Sequence, residues 1–189
     1  ERDGYTFVHP FDDYDVICGQ GTIGPEILKE LPETDEILIP IGGGGLISGI
    51  ALAIKTMKPS VKIIGVVPAG AMAMKISLEE GQVSRLASLK TVAEGVAVKQ
   101  PGDLTFAITQ KYVDDIITVT EKEIMEAVLL LIEKYKIVAE TAGAISLAGL
   151  RKRTAKDKNI VCLILLDNKN VLTISEIINQ GLITRGRIM

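Results

Sequence analysis

The stretch that decides the fold is Ile37-Leu38-Ile39-Pro40-Ile41-Gly42-Gly43-Gly44-Gly45-Leu46-Ile47-Ser48-Gly49-Ile50. A short apolar run, typical of a buried strand, is followed by four glycines and then by an apolar helical pattern. Four consecutive glycines are unfavourable in a strand or a helix, because each loses more backbone entropy on folding than another residue would. They are favourable where backbone N–H groups must face a ligand that leaves no room for a Cβ atom.

We therefore interpret residues 42–46 as a phosphate cradle, with a flexible glycine turn that binds no ligand as the alternative. The first N–H groups of a helix have no partner within it, and the helix dipole places partial positive charge there, so an anion is favoured. No Gly-Lys-Ser/Thr follows, which excludes a Walker-type loop. The G-x-G-x-x-G spacing is absent and the next strand, residues 62–67, ends without a carboxylate, which argues against a dinucleotide site. A single phosphate monoester on a compact cofactor is the predicted ligand.

The composition is that of one globular α/β domain: 189 residues, 47% of them hydrophobic, with 18 glycines. The net charge is −3 and the basic residues are scattered, so no nucleic-acid-binding face is expected. No apolar run approaches the roughly 20 residues of a membrane helix, and residues 1–4 do not resemble a signal peptide. Cys18 and Cys162 lie in apolar patterns, which predicts free buried thiols, with a disulfide as the alternative.

Strand and helix patterns alternate along the whole chain. The predicted fold class is therefore α/β, with three layers: a twisted, mostly parallel sheet, helices on both of its faces, and right-handed crossovers. Strands are predicted at residues 5–8, 36–41, 61–67, 115–119 and 159–166, and helices at residues 23–31, 46–57, 71–80, 104–112, 121–135, 140–153 and 171–180. Ligands bind such sheets at the carboxyl ends of the strands. Residues 42–46, the loop after Val67, Glu140 and residues 167–170 are expected to converge there.

Two further features carry functional hypotheses. His9 is the single histidine, and a hydrogen-bonding loop residue is favoured over an acid or base because no partner motif stands nearby. Residues 81–102 form a long segment without a clear helix or strand pattern, and loops of this length in a compact domain are often functional.

Six motifs occur in the order found in threonine/serine dehydratases, and the chain resembles that family over nearly its whole length. These are pyridoxal-phosphate enzymes of the tryptophan-synthase-β-like fold, with serine racemase as a close relative. The motifs are His9-Pro10-Phe11-Asp12-Asp13, Gly19-Gln20-Gly21-Thr22, Pro40-Ile41-Gly42-Gly43-Gly44-Gly45-Leu46, Glu94-Gly95-Val96, Val113-Asp114-Asp115 and Glu140-Thr141-Ala142-Gly143. The resemblance corresponds to the C-terminal part of such an enzyme's catalytic region.

The resemblance implies pyridoxal 5′-phosphate as cofactor and a hydroxy amino acid, threonine or serine, as substrate, which is converted to a 2-oxo acid and ammonia. It implies that residues 42–46 bind the 5′-phosphate. Gly95 is implied to lie where the backbone approaches the cofactor ring, Glu140 near the ring edge, and Asp167 where the family has a residue facing the pyridine nitrogen. We also expect a cytoplasmic homo-oligomer without nucleic-acid or membrane partners.

The family's Schiff-base lysine and its Ser-x-Gly-Asn substrate loop have no counterpart in these 189 residues. Lys55, Lys75 and Lys90 are expected to be surface residues. We therefore expect a single α/β domain that is part of a longer polypeptide, without a catalytic residue of its own and without the lysine-bearing segment and small domain.

Two other departures concern the site itself. The family's Ser-Gly-Gly-Asn after the last strand is replaced by Asp167-Asn168-Lys169-Asn170, so Asp167 either faces the pyridine nitrogen or serves as a loop or cap residue before the next helix. The acidic residues that hold a divalent ion in some relatives align with Val67 and Ala73, so no metal is expected.

Two classes of function follow from these observations. The first is the cofactor-binding part of a pyridoxal-phosphate-dependent ammonia-lyase. The second is a non-catalytic, truncated or degenerate module that binds a phosphate ligand or a partner chain. Within the family, dehydratase, racemase and threonine synthase are not separated, because the substrate loop is absent from the sequence.

Overall fold

Four strands and eight α-helices alternate in the computed structural model, which describes residues 4–154, 156–166 and 171–184. The strands are β1 (Glu36–Pro40), β2 (Lys62–Pro68), β3 (Asp115–Val119) and β4 (Ile160–Cys162). The helices are α1 (Tyr14–Gly21), α2 (Ile23–Glu30), α3 (Gly45–Met57), α4 (Ala73–Glu80), α5 (Asp103–Tyr112), α6 (Glu121–Leu130), α7 (Ile145–Leu150) and α8 (Val171–Thr184). A short 3₁₀ turn at Glu94–Val96 and a π-helical turn at Leu131–Tyr135 complete the regular structure.

The strands form one sheet in the order β3-β2-β1-β4, and each of these pairings is parallel. Leu38, at the centre of β1, lies opposite Ile64 of β2 and Cys162 of β4. All five residues of β1 are buried, as expected for a strand covered on both faces. The predicted α/β class with a parallel sheet is confirmed.

Alternation along β1 divides the core into two halves. Ile37 and Ile39 point to the face covered by α3, where they pack with Ile50 and Ile54. Leu38 points to the opposite face, among side chains from α6 and α7. Each fully buried isoleucine or leucine contributes about 1.5–3 kcal/mol of transfer free energy, so both helix layers depend on the sheet. This is the three-layer arrangement predicted from the sequence.

The predicted strand at residues 5–8 is wrong. These residues carry no regular structure, and the side chains of Tyr5, Phe7 and Val8 are exposed. A strand requires a pairing partner, and in the described ranges no other segment pairs with this one. The predicted last strand, residues 159–166, is also too long, because regular pairing ends at Cys162.

Helix α1 was not predicted, because its glycines read as a loop motif. Asp13 begins the helix: its carboxylate accepts hydrogen bonds from the N–H groups of Asp15 at 2.9 Å and Val16 at 3.2 Å. Gly21 lies against α3, where an added Cβ would be 3.1 Å from the carbonyl oxygen of Gly49. Glycine is therefore used here for close helix packing.

The predicted capping box at the start of α6 is confirmed. The N–H of Thr120 donates to the Glu123 carboxylate at 2.7 Å, and the N–H of Glu123 donates to the Thr120 hydroxyl at 3.3 Å. Burial alone would raise the pKa of Glu123, but hydrogen bonds from Thr120 and Lys152 outweigh it and lower the pKa.

The two cysteines are free, and only one of them is shielded. Cys18 is exposed, so the prediction that it is buried is wrong, whereas Cys162 is partly buried. Burial raises the pKa of the Cys162 thiol to about 11.

Among the helices that the structure describes, none has both the length and the apolar character that a membrane span requires.

Charged side chains gather at the amino-terminal edge of the sheet. Glu36, the first residue of β1, is only 1% exposed, and its carboxylate lies 2.6 Å from Arg153 Nη2 and 3.5 Å from Lys158 Nζ. Removing one partner of a buried ion pair leaves an uncompensated charge in a site of low polarity. This pair therefore fixes the start of β1 against the segment that leads into β4.

We predict that Arg153→Met lowers the free energy of unfolding by about 3 kcal/mol, because it leaves the Glu36 carboxylate buried with a single, more distant cation. Urea unfolding followed by circular dichroism measures this loss. The matched control is Arg151→Met, since Arg151 pairs with Glu126 while half-exposed, and we expect a loss below about 1 kcal/mol. Equal losses in the two variants would show that burial of Glu36 has no special cost.

Candidate functional site

The glycine run lies between the carboxyl end of β1 and the start of α3. Gly44 has φ +100° and ψ −3°, a left-handed conformation that side chains strongly disfavour. The helix begins immediately afterwards, and Ser48 N–H donates to the carbonyl of Gly44 at 3.0 Å. Gly44 therefore makes the reversal from strand to helix possible.

The N–H groups of residues 42–46 have no hydrogen-bond partner among the residues that the structure describes. Backbone donors without a partner are costly when water is excluded, so such groups are normally satisfied by solvent or by a ligand. Five consecutive donors without a described partner at the start of a 13-residue helix are an arrangement that favours an anion.

The glycines are also required by the packing of neighbouring side chains. A Cβ added to Gly43 would overlap the ring of Phe11, and one added to Gly45 would lie 3.0 Å from Phe11 Cα. At Gly44 it would lie 2.6 Å from the end of the Met74 side chain. Tight packing of neighbouring side chains is thus a second reason for the glycine run.

Residues 42–46 line a cavity of about 520 Å³. Its other walls come from the segment before α1, from α1 and α2, from the long loop before α5 and from the residues after β4: Pro10, Phe11, Val16, Gln20, Ile23, Pro40, Gly95, Val96, Val98 and Leu165. Most of these side chains are apolar, and the volume is in the range of small-molecule sites. The cavity is therefore apolar around a cluster of backbone donors.

Close backbone contacts connect the glycine run with Gly95 and, through Gly95, with Glu140. A Cβ on Gly42 would lie 3.0 Å from Val96 Cα, so Gly42 packs on the 3₁₀ turn that contains Gly95. A Cβ on Gly95 would lie 3.1 Å from Ala142 Cβ and 3.4 Å from a carboxylate oxygen of Glu140. Residues 42–46 and Gly95 therefore line one cavity, and the Glu140 carboxylate lies beside Gly95 without lining it.

Glu140 opens a turn and not the helix itself. Its carbonyl accepts the N–H of Ala144 at 3.1 Å, and regular α7 begins only at Ile145. Three residues after Glu140, a Cβ on Gly143 would overlap the backbone of Leu165. The segment after β4 therefore passes directly beside the turn that carries Glu140.

Hydrogen bonds to neighbouring elements hold the long loop at residues 81–102 in place. Val92 N–H donates to the Glu121 carboxylate at 2.7 Å, and the Thr141 hydroxyl donates to the Val92 carbonyl at 2.7 Å. These bonds fix the approach to the 3₁₀ turn and thereby the position of Gly95. The loop is long but anchored.

Several predicted elements of the site stand elsewhere. Asp167 and residues 168–170 lie outside the described residues, so the two hypotheses for Asp167 stay predictions. The loop after Val67 was expected in the crevice, but it does not line the cavity, because Ala69 N–H is bonded to Val119 O beside the neighbouring strand. Lys55 and Lys75 are bonded elsewhere, to Asp114 and to Thr118 respectively.

His9 is a hydrogen-bonding loop residue, as predicted. Its Nδ1 accepts the N–H of Asp12 at 2.9 Å and that of Phe11 at 3.4 Å. Its ring also stands edge-on to the Phe11 ring, with centroids 4.6 Å apart. His9 therefore shapes the turn that places Phe11 beneath the glycine run.

Three residues that position the glycine run were not assigned from the sequence: Phe11, Asp12 and Thr105. Phe11 and Asp12 belong to the motif at residues 9–13, for which the sequence predicted no role in the site. The signal for Asp12 was the glycine at position 102, since α5 begins there without a capping side chain of its own. A helix that begins after glycine can be capped by a carboxylate from another part of the chain.

Comparisons with known proteins place this arrangement in a family. The family described as pyridoxal-phosphate dependent enzymes matches residues 1–166. An L-threonine ammonia-lyase of Thermotoga maritima is 48% identical over 188 residues, which is 99% of this chain and 47% of that protein. The chain therefore spans about half the length of the curated relatives it matches.

Solved structures give the same result. The processed form of threonine deaminase isoform 2 from Solanum lycopersicum superposes with a TM-score of 0.90 at 38% identity, over 94% of this chain and 53% of that one. Maize serine racemase superposes with a TM-score of 0.86 at 33% identity, over 98% of this chain and 58% of that one.

Packing against Phe11 predicts a specific compensation. Gly43→Ala is expected to lower the free energy of unfolding by about 1–3 kcal/mol, because the new methyl group overlaps the Phe11 ring. In a Phe11→Ala background the same substitution has room, so its additional cost should fall below about 1 kcal/mol. A double-mutant cycle measured by urea unfolding gives both values.

The control for this cycle is Gly19→Ala, where an added Cβ meets no atom within 4 Å. Alanine in that helical position is expected to be neutral or stabilising by about 0.5–1 kcal/mol. If Gly43→Ala behaves like the control, the glycine is not required by packing against Phe11.

Proposed function

Because this chain belongs to the pyridoxal-phosphate dependent enzymes, we propose that it is the cofactor-binding part of a threonine/serine ammonia-lyase. The whole protein would convert a hydroxy amino acid to a 2-oxo acid and ammonia. The observation that carries this proposal is that residues 42–46 line an apolar cavity while their five N–H groups have no hydrogen-bond partner among the described residues.

The site fits the proposed cofactor by its own chemistry. A phosphate dianion needs several donors at once, and the start of α3 offers donors together with the positive end of the helix dipole. The apolar side chains of Val96, Val98 and Leu165 suit an aromatic ring next to that phosphate. A cavity of about 520 Å³ accommodates both groups.

Each residue then has a defined task. When bound, pyridoxal phosphate supplies the electron sink that makes loss of the substrate's α-proton and β-hydroxyl feasible. Residues 42–46 hold the phosphate and thereby fix the ring. Gly95 would leave room for the ring beside the backbone, and the Glu140 carboxylate, which lies next to Gly95, would be near the ring edge. Asp167 is proposed either to face the pyridine nitrogen or to precede α8 as a structural residue.

We propose that the Schiff-base lysine comes from sequence outside these 189 residues, together with the loop that binds the substrate carboxylate. Two observations support this. The chain spans about half the length of its curated relatives, and no lysine is found among the described residues that line the cavity. The 189 residues would then form one domain of the enzyme.

Threonine and serine are the proposed substrates, since curated relatives that match this chain are named for threonine. The similarity to maize serine racemase makes racemisation of serine a second candidate activity. A cytoplasmic homo-oligomer that binds neither nucleic acid nor membranes is proposed from the family resemblance, and light scattering of the purified protein tests its assembly.

The phosphate cradle predicts a loss of cofactor affinity on Gly44→Ala. The substitution is strained at φ +100° and turns the N–H groups away from the phosphate, so one charge-assisted hydrogen bond is lost or weakened. We expect the Kd for pyridoxal phosphate to rise about 10- to 100-fold. Fluorescence titration of the whole native protein measures it.

Gly81→Ala is the matched control for Gly44→Ala. Gly81 also has a positive φ, +72°, but it ends α4 and an added Cβ meets no atom within 4 Å. It should cost about 1–2 kcal/mol of stability without changing cofactor affinity. If both variants bind pyridoxal phosphate as well as the wild type does, residues 42–46 do not hold the phosphate.

The proposed activity is tested directly on the whole native protein. With pyridoxal phosphate and threonine, we expect ammonia and a 2-oxo acid in equal amounts, and none without the cofactor. Chiral chromatography after incubation with L-serine measures racemisation separately. Tight cofactor binding with neither product would favour the alternative, a non-catalytic phosphate-binding module.

A further inference from the structure

Helix α5 supports the glycine run from the side away from the cavity. Thr105, which is fully buried, donates its hydroxyl hydrogen to the carbonyl oxygen of Gly43 at 2.7 Å. Its backbone carbonyl also accepts a hydrogen bond from the Ser48 hydroxyl, in the first turn of α3, at 3.3 Å. Thr105 does not line the cavity, so its contact with the site is through the backbone of Gly43.

The position of Thr105 is itself fixed by two groups. Its hydroxyl oxygen accepts the N–H of Gly102 at 3.1 Å. The Asp12 carboxylate accepts the N–H groups of Asp103 at 3.1 Å, Leu104 at 3.0 Å and Thr105 at 3.0 Å. Asp12 fills the space of the side chain that Gly102 lacks, so it caps α5 from a distant part of the chain.

We propose that Thr105 is a positioning residue for the cofactor phosphate, an inference that rests on the proposed function. In a planar trans peptide, the carbonyl of one residue and the N–H of the next point in opposite directions. The bond from Thr105 holds the Gly43 carbonyl toward α5, and this directs the Gly44 N–H away from α5. Since Gly44 lines the cavity, that N–H is held ready for the phosphate before the ligand arrives.

The inference separates phosphate recognition from general stability. Without the hydroxyl, the peptide between Gly43 and Gly44 is free to rotate, and the phosphate must restrain it on binding. The loss should therefore appear for ligands that carry the phosphate and not for the ring alone. Pyridoxal, which lacks the phosphate, is the matched ligand.

The experiment measures the Kd for pyridoxal phosphate and for pyridoxal on the whole native protein. In Thr105→Val, which keeps the shape and removes the hydroxyl, the ratio of the two Kd values should shift about three- to tenfold against pyridoxal phosphate. Thr105→Ser keeps the hydroxyl and should stay within about twofold of the wild type. If Thr105→Val does not fold, Thr105→Ala provides the same test.

Thr109→Val is the control on the same helix. Thr109 is as buried as Thr105, but its hydroxyl has no partner among the described residues, so its removal should leave the ratio unchanged. An unchanged ratio in Thr105→Val, or an equal shift in Thr105→Ser, would overturn the inference. The proposed function fails instead if the wild type binds pyridoxal as tightly as pyridoxal phosphate and if inorganic phosphate does not compete with pyridoxal phosphate.

Discussion

The structure depends on a stretch of backbone whose missing side chains leave room for its neighbours. At Gly43 and Gly45 the absence of a Cβ atom lets Phe11 approach, and residues 42–45 together line the cavity. A side chain at position 43 or 45 would displace Phe11, and one at position 44 would strain the turn. Strand β1, helix α3 and the segment before α1 are therefore held together around a run of four residues without side chains.

Packing and the proposed function both require glycine at these positions, but they involve different atoms of the residue. The space beside each Cα is taken by the protein, whereas the N–H groups have no partner among the described residues and are proposed to bind an anion. Preorganised donors bind an anion more tightly than donors that must first be ordered. The hydrogen bond from Thr105 and the cap from Asp12 extend this preorganisation to a helix that does not touch the cavity.

The two edges of the sheet have different roles. At the amino-terminal edge, charged groups are satisfied within the protein: Glu36 by Arg153, and Asp114 by Lys55 and the N–H of Ile63. At the carboxyl edge, apolar walls surround backbone donors that the fold leaves unpaired. The ion pairs of Glu36 and Asp114 thus lie away from the cavity, and a substitution in either pair need not affect it. Ligand sites in parallel sheets commonly lie at the carboxyl edge.

The sequence by itself determined the parallel sheet, the helix start after residues 42–45 and the likeness to pyridoxal-phosphate enzymes. Each of these depends on local order: apolar runs, consecutive glycines and short motifs. The capping box at Thr120 was readable for the same reason, since its partners are three residues apart. Local sequence order also led to a wrong prediction. The apolar residues 5–8 were predicted to form a strand, but nothing in the described structure pairs with them.

Only the tertiary structure decided how the glycine run is supported. The Asp12 carboxylate and the N–H of Leu104 are 92 positions apart, and the Thr105 hydroxyl and the Gly43 carbonyl are 62 apart. No local pattern encodes such pairs, because they form only when separate helices pack on the same sheet. The sequence therefore predicted the residues proposed to bind the ligand, whereas the fold determined the residues that hold them in place.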